Sequence, residues 1–137
     1  MGNKIFIVAI LVAVPLFALG CVSQSPPQNF LGTPLVSLWV DFGNGTMLGD
    51  DGIAFSNQTA LSLLEGEANK WGVNVYEQYY AAYGETLVTG IGPLPDGDGG
   101  KYWVYRVDGT LLPVGADKAH LKPGDSVVWS FEKSPYG

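Results

Sequence analysis

The first apolar segment runs from Ile5 to Leu19, broken only by Pro15 and free of charge, behind the basic start Met1-Gly2-Asn3-Lys4. Fifteen residues are short for a bilayer span but suit the apolar core of a secretory signal. Val22 to Asn29 is polar, carries Pro26 and Pro27 and shows no period, which is the pattern of a tether. Regular periods begin near Pro34 and continue to about Lys133. The chain therefore divides into a signal peptide at 1–20, a tether at 21–33 and a globular domain at 34–134, close to the commonest domain size.

Within the domain, Val36, Leu38, Val40 and Phe42 share one face of a strand, with Ser37, Trp39 and Asp41 on the other. Gly43-Asn44-Gly45 is a hairpin signal, and Thr46 to Phe55 returns as a weaker strand interrupted by Gly49-Asp50-Asp51-Gly52. Ser56 or Asn57 is positioned to cap a helix with apolar positions Ala60, Leu61, Leu63, Leu64, Ala68 and Trp71; Lys70 and Gly72 are its stop signals. Glu67 falls inside the apolar stripe beside Gly66, so the pattern predicts a firm helix over 58–65 and a loosened one over 66–71. Residues 73–80 and 85–91 read as strands from their β-branched and aromatic content, and 92–100 as a long turn. Lys101 to Val107 is the strongest strand pattern and ends at the turn dipeptide Asp108-Gly109. After an irregular 110–121 and a turn at 122–125, Ser126 to Phe131 is the last strand. Strand, strand, helix and four strands predict an α+β domain, a mixed sheet packed on one main helix, with Leu61, Leu64, Val104 and Val127 in its core.

Charge and composition narrow the function. A 137-residue chain has room for one ordinary domain. Its net charge is −6, and once Lys4 is assigned to the leader the remainder carries 6 basic against 13 acidic residues. With no basic cluster, nucleic-acid binding is disfavoured. One cysteine excludes an intrachain disulfide and a zinc site of several thiolates. That cysteine ends the leader, in Ala18-Leu19-Gly20-Cys21, which resembles the lipobox of prokaryotic lipoproteins. The resemblance implies a diacylglyceryl group on the Cys21 thiol and a mature chain that starts there, anchored on the extracytoplasmic face of the cell membrane. Two acyl chains on one residue meet the two-signal requirement for stable anchoring.

Three runs carry a second likeness: Thr89-Gly90-Ile91-Gly92, Lys101 to Gly109, and Leu121 to Phe131. Trp103-x-Tyr105-x-Val107-x-Gly109 and Gly124-Asp125-x-Val127-x-Trp129 are its most specific parts. Over 34–133 the chain resembles the transcobalamin C-terminal-like family, a β-grasp-related domain of largely unassigned function. Asp108 stands where the family usually has Asn, and both residues tolerate the turn. In cobalamin carriers such a domain closes over the corrin with a separate helical barrel. The resemblance thus implies half of a clamp, and cobalamin as a ligand only together with a partner.

Aromatic residues are the candidate contacts. Tyr76, Tyr79, Tyr80 and Tyr83 fall within eight residues, more than one strand face buries. They suit either an interface with a ligand or protein partner or an amphipathic edge strand with wetted hydroxyls. Tyr79, Tyr80 and Tyr83 with the 92–100 loop form the expected binding surface, joined by Tyr102 and Trp103 from the strongest strand. For Trp103 and Trp129 the area an indole must bury favours the core over an open platform. Asp96-Gly97-Asp98-Gly99-Gly100 starts like a calcium loop but lacks an oxygen ligand at Gly100 and a Glu at Val107, so it reads as a turn. Asp50-Asp51 reads as a solvated loop, and His120 has no nucleophile context. No metal site, cofactor or catalytic constellation is expected. Asn44 and Asn57 begin glycosylation sequons that matter only in a host that glycosylates its surface proteins. The expected function is a lipid-anchored, non-catalytic binding module for a planar ligand. The alternative is a structural or assembly subunit of the cell surface that acts through protein–protein contact.

Overall fold

A computed structural model of the chain describes residues 32–137. The leader, Cys21 and the tether to residue 31 lie outside the described residues. Eight strands and one α-helix follow in the order β1 (Leu35–Asp41), β2 (Met47–Ala54), α1 (Ala60–Trp71), β3 (Val75–Tyr80), β4 (Glu85–Ile91), β5 (Leu94–Pro95), β6 (Lys101–Val107), β7 (Thr110–Leu111) and β8 (Ser126–Lys133). Five of them form a mixed sheet in the order β2-β1-β8-β6-β7, in which only β1 and β8 run parallel. The expected α+β architecture, a mixed sheet with one main helix, is the one found. A second, smaller sheet adds to it, in the order β3-β4-β5.

The alternation in β1 does what its period predicts. Val36, Leu38, Val40 and the following Phe42 are buried, and β8 answers with Val127, Trp129 and Phe131. Trp103 and Tyr105 of β6 and Leu61 and Leu64 of α1 complete one core cluster. Val104 is also buried but stands outside that cluster, because neighbouring residues of a strand point to opposite faces.

Several local expectations are corrected. The helix cap is Thr59, neither Ser56 nor Asn57: its Oγ1 accepts from Ser62 N, and Ser62 Oγ accepts from Thr59 N. Asn57 has φ 60°, and Gln58 accepts from Ser56 N and donates to Ala54 O, so residues 56–58 are spent on a turn. The helix then runs without loosening to Trp71 and stops at Gly72, which takes φ 71°. Glu67 stays in the apolar stripe, 5% exposed, and its carboxylate accepts from Lys70 Nζ at 2.7 Å. A pair with one end in water is how such a carboxylate is tolerated inside the stripe.

The dip at 49–52 does not break β2. The Trp39 indole lies over Gly49, where a Cβ would come within 2.2 Å of Trp39 Cε3, and Trp39 Nε1 donates to Asp51 Oδ1 at 2.8 Å. Glycine therefore marks a close approach in this strand, not its end. The 92–100 turn contains β5, and the irregular 110–121 segment opens with β7. The rest of that segment serves the helix: Ala60 N donates to Ala119 O and Leu61 N to Ala116 O, satisfying two of its first-turn donors.

Candidate binding cleft

Three segments build the site. The β3–β4 hairpin sets Tyr80 opposite Glu85, and its turn holds Tyr83 through Tyr83 N donating to Tyr80 O. The stretch 111–116 crosses in front of β4 and β6, with Gly115 packed so closely that a Cβ there would lie 2.7 Å from Asp117 Oδ1 and 3.0 Å from Glu85 Cβ. Glycine at this position lets the loop lie down on β4. Tyr105 of β6 fastens the loop from behind, its hydroxyl donating to Val114 O.

Between these segments lies a cleft of about 450 Å³, walled by β4, β6, Leu111 to Ala116, Trp129 and Tyr136. A smaller cleft of about 230 Å³ is lined by Tyr80, Tyr83, Glu85, Thr86, Leu87 and Gly115. Glu85, Thr86, Leu87 and Gly115 belong to both, so the two are contiguous. Five of the ten large apolar side chains exposed among the described residues line this composite groove: Tyr80, Tyr83, Leu87, Val114 and Tyr136. Gathering them in one place is unlike the scattered exposure that a surface shows by default.

The polar groups of the groove are few. Glu85 is its one formally charged lining residue. Burial above all, then the nearby Glu85, Tyr136 and Asp117, pushes the Tyr105 phenol up to about 12. The Trp129 indole N–H is buried without an acceptor, and Asp117 Oδ1 behind Gly115 is buried without a donor. An unsatisfied buried donor in a wall of the groove is a feature that calls for a physical reason.

The residues singled out from the sequence divide. Tyr80 and Tyr83 line the groove, 38% and 79% exposed. Tyr79 is exposed too but stands opposite Thr86, so it points to the other face of the hairpin from Tyr80. The three tyrosines are therefore not one surface. Nor does the 92–100 loop join them: it forms a separate depression with Tyr76, Thr89 and Gly90. Tyr102 is exposed on β6 opposite Glu132, outside the groove. Trp103 is core, 5% exposed, edge-on to Phe42 with ring centroids 5.5 Å apart and 5.1 Å from Phe131. Its Nε1 donates to Leu94 O, and it reaches the larger cleft only as part of the wall. The core position that the area of its indole favours is thus the one found, and only its inclusion among the open contacts is corrected.

Asp96 accepts from the Trp103 backbone N–H at 2.8 Å, so it pins the turn to β6; burial raises its pKa, and that hydrogen bond partly offsets the rise. Among the described residues no group of three or more His, Cys, Asp or Glu could hold a metal ion. Asn44 and Asn57 are both exposed. The sequence reading held Tyr105 only as part of a strand and its motif, and missed Val114, Gly115 and Tyr136. The signal was present in Leu111-Leu112-Pro113-Val114, four apolar residues in a stretch otherwise read as loop.

Comparison with known proteins follows the same line. No curated protein matches the chain. A solved structure of a suggested metal-binding protein from Ruminococcus gnavus ATCC 29149 is similar at 17% identity and a TM-score of 0.58, covering 74% of this chain and 98% of that one. Haptocorrin in complex with Cbi is similar at 18% identity and a TM-score of 0.56, covering 76% of this chain. The chain spans 27% of haptocorrin's length. At these identities the likeness is one of fold, and it is the transcobalamin C-terminal-like fold that the Trp103–Gly109 and Gly124–Trp129 runs resemble. The model of a domain of unknown function, DUF4430, matches residues 59–133, more than half of the chain, and to that family the chain belongs.

Proposed function

We propose that the chain is a non-catalytic binding module, anchored on the extracytoplasmic face of a membrane through an acylated Cys21, that seats a flat and largely apolar ligand in the β4–β6 groove. The observation that carries this reading is the collection of Tyr80, Tyr83, Leu87, Val114 and Tyr136 around one contiguous cleft. Rigid aromatic and aliphatic walls with few polar groups are the usual make-up of a ligand site. The phenol of Tyr105 is spent on Val114 O and held protonated, so it serves the loop and not a reaction. Haptocorrin, of which a similar fold forms part, is seen with Cbi, and this supports a corrin-like ligand here. A corrin is larger than the groove, so a second protein would cover the rest of it.

Isothermal titration of the full chain with cobinamide tests the reading. Half a clamp predicts a Kd near millimolar, about −4 kcal/mol, lost in a Tyr80→Ala, Tyr83→Ala double variant. Submicromolar affinity for the chain alone would remove the need for a partner, and binding that survives the double variant would remove the groove. A second reading, an assembly subunit working by protein–protein contact, is favoured by β3, which lies at the outside of its sheet and is exposed over nearly its whole length. Co-purification of a surface protein that depends on Tyr79, and not on Tyr83, would select it.

A further inference from the structure

The smaller cleft sets two exposed tyrosines beside the groove's one carboxylate. Tyr80 and Glu85 are cross-strand partners on one face of the hairpin, and Tyr83 stands over them from the turn. Thr86, Leu87 and Gly115 complete its lining, and all three also line the larger cleft. Neither cleft is lined by any Lys, Arg or His. Lys118 is directed to Asp117, 3.8 Å away, and lines neither. Two tyrosine rings and one carboxylate, with no cation to neutralise them, therefore face a space of about 230 Å³ that opens into an apolar one.

That combination selects for charge. Tyrosine faces are electron-rich and attract an ammonium group, more strongly as water is excluded. An uncompensated carboxylate beside them adds to the attraction and repels anionic ligands. An alkylated ammonium suits the place better than a metal ion, because it needs no coordinating oxygens and is weakly hydrated. The larger cleft, walled by Leu112, Val114 and Trp129, then takes whatever apolar body the head group carries.

We infer that the groove takes an organic cation, with a substituted ammonium head between Tyr80, Tyr83 and Glu85 and an apolar body in the β4–β6 cleft. The inference rests on the groove being the binding surface, and the test separates the two. The probes are choline, its neutral isostere 3,3-dimethylbutan-1-ol, and benzyltrimethylammonium, each titrated into the purified full chain and followed by amide chemical shifts. Choline shifts the Tyr83–Leu87 and Gly115 amides, the isostere binds about tenfold more weakly, and benzyltrimethylammonium extends the shifts to Val114 and Trp129. Glu85→Gln weakens both cations about fivefold while leaving the isostere unchanged, and Tyr83→Ala does the same to the cations. Tyr76→Ala, in the separate depression, changes nothing. Both Tyr83 and Glu85 lie at the surface turn, and an unchanged amide spectrum of each free variant confirms the fold. If isostere and choline bind equally in the groove, the groove stands and the cation is wrong. If none of the three shifts these amides, the groove fails as a ligand site and the inference fails with it.

Discussion

Tyr105 both lines the larger cleft and fastens the loop that makes its opposite wall. Its ring packs on Trp129 with centroids 5.2 Å apart, and its hydroxyl ties down the 111–116 loop at Val114 O. Burial, assisted by Glu85, Tyr136 and Asp117, raises its pKa from 10.0 to about 12. The sign of the consequence is fixed: a folded-state pKa above the unfolded one gives stability that is whole below pH 10 and is lost as pH rises toward 12. Tyr105→Phe is expected to be less stable than the parent at pH 8 by about 1 kcal/mol, the net worth of one hydrogen bond. The gap should narrow between pH 10 and 12, because the variant has no phenol to ionise. Urea unfolding at pH 8, 10 and 11.5 checks it; a constant gap would mean that the phenol is not held protonated by the fold. The sequence showed Tyr105 only as part of a strand face, since its partner Val114 lies nine positions on, in a stretch with no period of its own.

At the scale of elements, α1 shows both what periodicity reads and what it cannot. The apolar positions Ala60, Leu61, Leu64 and Ala68 are legible at 3.6-residue spacing, and all are buried. The start of the helix was misplaced because Ser56, Asn57 and Thr59 are all able caps, and the choice among them was made by Gln58 bridging Ser56 and Ala54. The loosening expected at Glu67 did not occur because Lys70, one turn away, reaches its carboxylate. Leu64 is fully buried in the cluster between α1 and the large sheet. Leu64→Ala is therefore expected to cost about 2–5 kcal/mol, the range for truncating a core leucine. Equilibrium unfolding in urea measures it, and a loss below about 0.5 kcal/mol, the level of an ordinary surface change, would place Leu64 at the surface and undo the helix phase.

For the whole molecule, the decisive residue is one the described structure does not include. Cys21 follows a fifteen-residue uncharged run and Gly20, and the reading of a lipid-anchored chain stands on it. Cys21→Ser is expected to leave the product uncleaved or released, with no acyl mass on the N-terminus, as mass spectrometry and membrane fractionation would report. A variant still cut after Gly20 and still membrane-bound would remove the anchor. A net charge of −6 and a groove with Glu85 as its one charged lining residue give the same electrostatic preference, for cations and neutral apolar groups over polyanions.

The sequence by itself determined the six longer strands, the helix and the fold class. Alternation in 35–42, 101–107 and 126–131 and the 3.6-residue stripe in 60–71 are local properties, written in adjacent residues and enforced by burial. It also determined the turn at Asp108-Gly109, where Asp108 adopts φ 50° and Gly109 φ 79°, as the dipeptide demands. Tertiary structure alone decided that β3, β4 and β5 leave the large sheet to form their own, because which strands pair depends on contacts far apart in the chain. It alone decided that Tyr80, and not Tyr79, faces the groove: the pleat sends the two to opposite sides, and the pairing with β4 chooses which side meets the cleft. And it brought Tyr83, Glu85, Val114, Trp129 and Tyr136 around one groove from segments with no common period, since a cleft is the space left between packed elements and has no local code.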